Sequence, residues 1–210
     1  METIRLLLAL AAQKGWQVHH LDVKSAFLHG ELKEDVYVSQ PDGFVKKGKE
    51  NLVYKLKKAL YGLKQAPRAW NIRLNNILKE TGFIRCPQEQ AVYKRTSRQS
   101  TIIIGVYVDD IIVTGSYIKD ISSFKREMQG KFEMSDLGPL TYYLGIEVRQ
   151  TQGKIQLKQS AYAKKVIKEA RLEDCNPTKT AMEPGLKLTR EDESELVNET
   201  EYRKLIGSLR

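Results

Sequence analysis

The chain has 210 residues, of which 41% are hydrophobic and 29% are charged, and this ordinary globular composition argues against a disordered protein. Because 35 Lys and Arg outnumber 26 Asp and Glu, the net charge of +9 favours an anionic partner, with nucleic acid first and an anionic membrane surface second. No apolar run approaches the roughly 18 residues of a membrane span, and the N terminus lacks a secretion signal. We therefore expect a protein that is neither secreted nor embedded in a membrane.

The order of predicted elements follows from hydrophobic periodicity and from the Gly and Pro positions. Apolar residues at helical spacing predict helices over 2–14, from Pro67 to a stop at Gly82, over 117–130 and over 162–170. Runs rich in β-branched residues predict strands over 16–23, 35–39, 91–95, 101–108, 111–115, 142–148 and 155–158. Pro177, Pro184 and the acidic run after Thr189 predict a loop or a poorly ordered tail. This order indicates an α+β fold in which helices cover one face of a sheet.

The positive charge is concentrated in two segments. Residues 44–79 contain ten Lys and Arg and one acid, and residues 151–180 contain seven basic residues and three acids. The segment 183–201 reverses the sign, with seven acids and two bases. A single basic run usually indicates a solvated face, but two separated basic segments favour a nucleic-acid-binding surface.

Two adjacent acids, Asp109 and Asp110, lie between β-branched runs at 102–108 and 111–113, which predicts a hairpin with the acids at its bend. One interpretation is a plain acidic turn. However, a tight hairpin favours Gly at the bend and this one has none. Two neighbouring carboxylates between buried strands also repel each other unless a cation lies between them. The alternative interpretation is therefore a bound metal ion.

Asp22 closes the strand predicted over 16–23. If Leu21 and Val23 face the core, Asp22 points to the opposite face, because side chains alternate along a strand. Asp22 could cap the following segment, or it could join Asp109 and Asp110. Three carboxylates supply the oxygen ligands that Mg²⁺ prefers, and pairs of such ions assist phosphoryl transfer.

The segment Tyr107-Val108-Asp109-Asp110 resembles the Y-x-D-D motif of reverse transcriptases. Residues 21–30 resemble the block that carries the first catalytic aspartate, and residues 60–70 resemble the block that faces nucleotide and template. Residues 136–138 and 143–148 are similar to later blocks of the same enzymes. In order and wording these blocks resemble the copia-type LTR-retrotransposon reverse transcriptases, where the domain is part of a Pol polyprotein.

The resemblance implies an α+β reverse-transcriptase palm with partial fingers over 1–148, a thumb segment over 149–182 and an acidic, loop-rich tail over 183–210. Asp22, Asp109 and Asp110 would be the catalytic residues and would hold two Mg²⁺ ions, for which Mn²⁺ can substitute. The implied nucleotide-binding residues are Val23, Phe27, Gly62, Lys64, Gln65, Pro67 and Tyr107. The implied nucleic-acid-binding residues are Arg68, Arg73, Gly145, Lys164, Lys165 and Lys168.

The partners implied by the resemblance are an RNA or DNA template with its primer and deoxynucleoside triphosphates. Ribonuclease H and integrase domains accompany this domain in the family but are not recognisable in this chain, and the implied location is the cytoplasm, in a virus-like particle, or the nucleus. The implied activity is RNA-directed DNA polymerisation. A second hypothesis is a truncated remnant that binds nucleic acid through its basic surface without catalysis, since the family extends upstream into further fingers residues.

Several residues also have plainer interpretations. His19, His20 and His29 lack metal-ligand spacing and are assigned to surface or packing roles. Trp70 lies on the apolar face of its predicted helix and is assigned to the core. Phe27 is either a core residue or, by the resemblance, the residue under the deoxyribose of the incoming nucleotide.

Overall fold

The computed structural model describes residues 2–180, 182, 184–187 and 197–209. These residues form five α-helices: α1 Glu2–Lys14, α2 Ala66–Glu80, α3 Ile118–Gln129, α4 Ser160–Glu169 and α5 Glu199–Ser208. They also form a short 3-10 helix at Ala26–His29. The strands are β1 Val18–Val23, β2 Tyr37–Ser39, β3 Val53–Lys55, β4 Ile84–Arg85, β5 Val92–Thr96, β6 Thr101–Tyr107, β7 Asp110–Gly115, β8 Met134–Pro139, β9 Tyr142–Tyr143, β10 Ile146–Thr151 and β11 Lys154–Lys158. The α+β prediction is confirmed.

Six strands form the main sheet in the order β4-β5-β6-β7-β1-β8, with antiparallel pairing throughout. β6 and β7 form the predicted hairpin, and β7 pairs with β1 from Val18 opposite Thr114 to Asp22 opposite Asp110. β8 pairs with the other edge of β1, with an irregularity between His19 and Leu21. The sequence-distant segments that carry the three acids are therefore neighbouring strands.

One face of this sheet holds the main hydrophobic core, beneath α2 and α3. Leu21 and Val23 of β1 point into it, as expected from the alternation of strand side chains. α2 and α3 contribute their apolar stripes, which are Trp70, Leu74, Ile77 and Leu78 from α2 and Ile121, Phe124 and Met128 from α3. Packing on this face turns the acids of β1 and β7 to the opposite face.

The opposite face of the sheet is partly covered by α1, so the prediction of helices on one face only is wrong. α1 buries Ile4, Leu7, Leu8 and Ala11 and packs against β6. The close approach depends on Gly105, because a Cβ there would lie 2.7 Å from Leu7 Cδ1. Gly105 pairs with Ile112, whose neighbours along β7 alternate into the core under α3. The helix therefore lies on the face that also carries Asp22.

A polar network with two buried members, His19 and Lys125, links β1, α3 and β8. The Lys125 Nζ donates to His19 Nδ1 at 2.9 Å and to Asp136 Oδ1 at 2.7 Å. Burial, followed by the neighbouring Lys125 charge, lowers the pKa of His19, with Asp136 opposing. Burial alone would raise the pKa of Asp136, but hydrogen bonds from Lys125 and the Gly138 N–H outweigh it and lower that pKa.

The chain divides into two compact units, the first comprising 1–141 and 148–156 and the second comprising 142–147 and 157–210. In the second unit, β9 and β10 pair as Tyr143 opposite Ile146, so the single strand predicted over 142–148 is interrupted. The turn residues Leu144 and Gly145 both have positive φ, +47° and +85°, as a two-residue hairpin turn of type I′ requires.

The second unit also contains α4 and α5, which pack together through a hydrogen bond from the Tyr162 hydroxyl to the Ser208 carbonyl at 3.0 Å. α5 contradicts the loop prediction for 199–208. Its Asn198 cap accepts from the Thr200 and Glu201 N–H groups, a start signal that the acidic composition concealed. The acidic run at 188–196 lies outside the described residues. None of the helices in the described part of the chain is long and apolar enough to cross a bilayer.

Candidate functional site

The hairpin of β6 and β7 closes through a two-residue turn, Val108-Asp109, because Tyr107 pairs with Asp110. Val108 has a φ of +55°, in the left-handed region, which costs an ordinary L-residue about 1–2 kcal/mol. The absence of glycine from this turn, noted in the sequence, therefore places a β-branched residue in a conformation that glycine normally adopts. The turn is held from outside by Trp70, whose Nε1–H donates to the Val108 carbonyl at 2.7 Å.

Asp22 and Asp110 face each other across the β1–β7 ladder at the end of the sheet. Directly opposed residues in such a ladder place their Cβ atoms about 4.5–5.5 Å apart on the same face. The Val23 N–H donates to the Asp109 carbonyl at 2.9 Å, which joins the turn to the end of β1. All three acids are half-buried. The structure thus brings Asp22, Asp109 and Asp110 to one corner of the sheet.

His20 is a component of this corner that sequence reasoning missed. Its Nε2 lies 2.6 Å from Asp110 Oδ1, and since an ionised carboxylate can only accept, the ring N–H donates. The alternation of side chains along a strand could have indicated this role, because His20 lies two residues before Asp22 and therefore on the same face of the sheet. Its surface-or-packing assignment is incomplete. His19, by contrast, is a packing residue in the network with Lys125.

Tyr61 is a second component of this corner that the sequence alone does not indicate. Partial desolvation of the phenol raises the pKa of Tyr61, as do the charges of Asp109 and Asp22 and the hydrogen bond to Asp109. The Tyr61 ring also contacts Phe27, with ring centroids 4.5 Å apart. Tyr61 therefore connects the acids to Phe27, a link that follows from tertiary structure and has no sequence signal of its own.

The chemistry of the donor set fits a hard divalent cation. Carboxylates from two adjacent strands converge, and oxygen ligands are those that Mg²⁺ takes in proteins. Among the residues that the structure describes, no three His, Cys, Asp or Glu side chains already stand close enough to form a metal-binding group. The Asp110 carboxylate is hydrogen-bonded by His20, so it would exchange or share that partner on binding the cation.

Phe27 lies in the 3-10 helix that follows β1, half-buried against both the main core and a small cluster formed by Ala59, Ala66 and Ala69. It also lines a cavity of about 280 Å³ together with Pro67, Trp70, Val106 and Val108. Phe27 therefore packs against the core on one side and borders a cavity on the other, and its contact with a nucleotide stays a prediction.

The other predicted nucleotide-binding residues lie around the start of α2. Gly62 has a φ of +88°, a conformation that glycine adopts without strain, and Gln65 occupies the position before the first helical turn. Pro67 lies within that first turn, where its missing N–H is tolerated. Lys64 is exposed, as is Tyr107 next to the turn, whereas Val23 is buried.

All ten basic side chains of 44–79 are exposed. Two of them have acidic neighbours, since Lys55 Nζ lies 2.6 Å from Asp35 and Arg68 forms an ion pair with Glu34. Arg68 lines a cavity of about 270 Å³ beside α2, together with Gln65 and Arg73. These cations are on the surface, as a nucleic-acid interface requires.

The remaining predicted residues belong to the second unit. Gly145 forms the β9–β10 turn, where its φ of +85° explains the residue type. Lys164, Lys165 and Lys168 are exposed on α4, and Lys165 lies 3.9 Å from Glu169 one turn away. Exposure of these lysines is compatible with binding to a phosphate backbone, which remains a prediction.

Comparison with known proteins identifies the family of the chain. Residues 1–184 match the family described as reverse transcriptase (RNA-dependent DNA polymerase). The chain is 38% identical over 207 residues to the retrovirus-related Pol polyprotein from transposon RE1 of Arabidopsis thaliana, covering 99% of this chain and 14% of that protein. It is 36% identical over 218 residues to that from transposon TNT 1-94 of Nicotiana tabacum, covering 100% and 16%. A transposon Ty5-1 protein of Saccharomyces cerevisiae is 35% identical over 190 residues, covering 90% and 62%.

The chain thus spans about a seventh of the plant polyproteins and less than two thirds of the yeast protein. The matches extend over both the sheet that carries the acids and the basic segments, so the resemblance is not confined to one short motif. The chain belongs to the reverse transcriptase family of copia-type retrotransposon Pol polyproteins.

Proposed function

We propose that the corner formed by Asp22, Asp109 and Asp110 is the site of template-directed nucleotidyl transfer. In this reaction a primer 3′-hydroxyl attacks the α-phosphorus of a deoxynucleoside triphosphate and pyrophosphate leaves. The observation that carries the proposal is the register of the β1–β7 ladder, which sets Asp22 opposite Asp110 with Asp109 in the adjoining turn. Carboxylates that come together from two neighbouring strands supply the oxygen ligands that Mg²⁺ takes in proteins.

Asp22, Asp109 and Asp110 would hold two Mg²⁺ ions. When bound, such ions activate the attacking hydroxyl and neutralise charge on the transferred and departing phosphates. His20 fixes one oxygen of Asp110 and so orients the carboxylate. The Tyr61 phenol feels the charges of Asp109 and Asp22, and its ring contacts Phe27.

Phe27 is proposed to lie against the deoxyribose of the incoming nucleotide. Its ring is held by Tyr61 on one side and lines a cavity beside the Val108 turn on the other. A rigid apolar ring at this place would exclude a 2′-hydroxyl and offer it no hydrogen bond. Gly62, Lys64, Gln65 and Pro67, at the start of α2, are proposed to line the nucleotide and template side.

The exposed cations of 44–79 are proposed to bind the phosphate backbone of primer and template. Such binding neutralises phosphates and releases counterions, so the logarithm of the affinity should fall with the logarithm of salt by roughly 0.7–0.9 per phosphate contacted. Arg68 and Arg73 on α2 belong to this surface in the first unit, and Lys164, Lys165 and Lys168 to a similar surface in the second. Affinity that does not change with salt would contradict this part of the proposal.

The test of the catalytic site is Asp110→Asn, which removes one charge at nearly constant shape. In the wild-type chain, Mg²⁺ or Mn²⁺ should raise the melting temperature, since a ligand at 100 times its dissociation constant stabilises the folded state by about 2.7 kcal/mol. Asp110→Asn should lose most of this stabilisation and any primer extension on poly(rA)–oligo(dT). Asp42→Asn, an exposed acid in the loop after β2, is the matched control and should retain both.

Nucleic-acid binding without catalysis is the second candidate, favoured by the exposure of all ten basic side chains of 44–79. The same variants separate the two. If Asp110→Asn leaves the metal-dependent stabilisation unchanged and the wild-type chain does not extend a primer, while salt-dependent binding persists, the binding-only function is correct.

A further inference from the structure

Trp70 is a core residue whose side chain also forms a hydrogen bond to a turn outside the core. The residue is only 2% exposed on α2, yet its indole N–H donates at 2.7 Å to the carbonyl of Val108, 38 positions further along the chain. A buried indole needs an acceptor for its single N–H. Here that acceptor is supplied by the turn between Tyr107 and Asp110.

The Val108 turn lacks local features that would hold it. Val108 is β-branched and has a left-handed φ of +55°, and the first position of such a two-residue turn normally carries Gly. The residue is also 41% exposed, so its side chain gains little from burial. A turn of this kind persists when contacts from outside the hairpin over-determine it.

The Trp70 ring is well placed to provide that contact, because its own position is fixed on several sides. The Phe132 ring meets it edge-on with centroids 5.1 Å apart, and the His29 ring lies at 6.1 Å. The backbone of Gly30 also packs against α2 at Trp70. The approach is so close that a Cβ added to Gly30 would lie 2.7 Å from the backbone nitrogen of Trp70. The donor is therefore held by a rigid framework.

We propose that Trp70 is a positioning residue that holds the Val108 turn and thereby places Asp109 and Asp110 against Asp22. The turn is anchored on its other side by the Val23 N–H, which donates to the Asp109 carbonyl at 2.9 Å. The two anchors come from α2 and from the end of β1. Any effect of Trp70 on catalysis rests on the proposed function, whereas its role in fixing the conformation of the turn does not.

A Trp70 that serves only as a core residue predicts a different pattern of effects. In that case Trp70→Phe weakens the whole unit, and any change at Val108 adds to the damage. If Trp70 instead holds a strained turn, Trp70→Phe lets Val108 relax out of the left-handed conformation. Val108→Gly should then compensate, because glycine adopts a positive φ without that strain.

The experiment is amide hydrogen exchange on the full chain for Trp70→Phe, Val108→Gly and the double variant. The Val23 amide reports the turn, because its acceptor is the Asp109 carbonyl. Trp70→Phe should reduce its protection by roughly tenfold, the scale of one hydrogen bond, and the double variant should restore it. Phe83→Leu, which removes an aromatic contact with Phe124 in the same core and leaves Trp70 and its neighbours intact, is the matched control and should change Val23 protection little.

Unchanged Val23 protection in Trp70→Phe, or no restoration by Val108→Gly, would overturn the inference. Should Trp70→Phe fail to fold, Val108→Pro tests the same bond from the exposed side, since proline cannot adopt a φ of +55°. Exchange of the Trp70 indole proton should then accelerate while that of Trp16 does not, and equal rates to wild type would refute the proposal.

The same variants distinguish failure of this inference from failure of the proposed function. If the polymerase proposal holds, Trp70→Phe also weakens metal-induced stabilisation and the double variant regains it. If Val23 protection follows the expected pattern but metal ions stabilise neither wild type nor variants, Trp70 holds the turn and the catalytic proposal is wrong.

Discussion

Gly30 allows the 3-10 helix that carries Phe27 to lie directly against α2. Its φ of −78° is accessible to any residue, so backbone conformation does not require glycine. Space does. An added Cβ would lie 2.7 Å from the nitrogen of Trp70 and 2.9 Å from the carbonyl carbon and the Cβ of Ala69. Two of these atoms belong to the α2 backbone, which cannot rotate away as a side chain can. We therefore predict that Gly30→Ala separates the two elements.

Two opposing terms set the size of this effect. Replacing Gly by Ala restricts the unfolded chain and stabilises by about 0.4–1 kcal/mol at a compatible φ. Overpacking a close contact costs about 1–3 kcal/mol, and contact with backbone favours the upper part of that range. The net loss should be about 1–2 kcal/mol. With a urea dependence of about 2 kcal/mol per molar, the unfolding midpoint should fall by roughly 0.5–1 M.

Gly130, at the end of α3, provides the matched control. Its φ of −73° is likewise compatible with alanine, and the nearest atoms to an added Cβ are the Glu127 and Arg126 carbonyl oxygens at 3.5 and 3.6 Å. Those are ordinary contacts, so Gly130→Ala should be neutral or stabilising by up to about 1 kcal/mol. If urea unfolding gives the two alanine variants the same midpoint, close approach at Gly30 is not what sets its stability.

Two further predictions concern acid stability and sugar selection. Burial, followed by the charge of Lys125, lowers the pKa of His19 in the folded chain. The unfolded chain therefore binds a proton at His19 at a higher pH than the folded chain does, so the free energy of unfolding should fall as the pH drops below 6.5. His19→Asn keeps an acceptor for Lys125 but cannot titrate. Between pH 7.5 and 5.5 its urea midpoint should therefore fall less than that of the wild-type chain, and an equal fall in both proteins would contradict this role of His19. Phe27→Val should lower the preference for dTTP over UTP by about tenfold, or 1.4 kcal/mol, measured as the ratio of kcat/KM values. An unchanged ratio in a folded variant would leave Phe27 as a core residue only.

The central hairpin and the direction of its acids could be predicted because both depend on local patterns. β-branched runs on either side of Asp109 predict paired strands, and alternation along β1 places Asp22 opposite the core once Leu21 is assigned to it. The pairing of Asp22 with Asp110 is different in kind. It joins segments nearly 90 positions apart, so the residues alone left it as one of two alternatives for Asp22 and the family resemblance favoured it. The β1–β7 ladder sets the two acids opposite each other.

Other features could not be predicted because their causes are non-local. The face that α1 covers is set by Gly105, where a missing side chain on β6 leaves space for Leu7. β8 alternates weakly in sequence, and it is held mainly by its pairing with β1. The strand break at Leu144 was hidden because an apolar residue occupies a left-handed turn position that composition assigns to a strand.

The three acids are placed by contacts from separate parts of the chain, and this has a consequence for how the site responds to change. The ladder fixes Asp22 relative to Asp110, the Val23 amide fixes Asp109, and the Trp70 indole fixes the turn between the strands. Only the first of these contacts lies within the strands themselves. Because α2 supplies the third, displacement of that helix should move the turn, and Asp109 and Asp110 with it, without unfolding the sheet. Gly30, which seats α2 at Trp70, is then as relevant to the geometry of the acids as the residues that touch them.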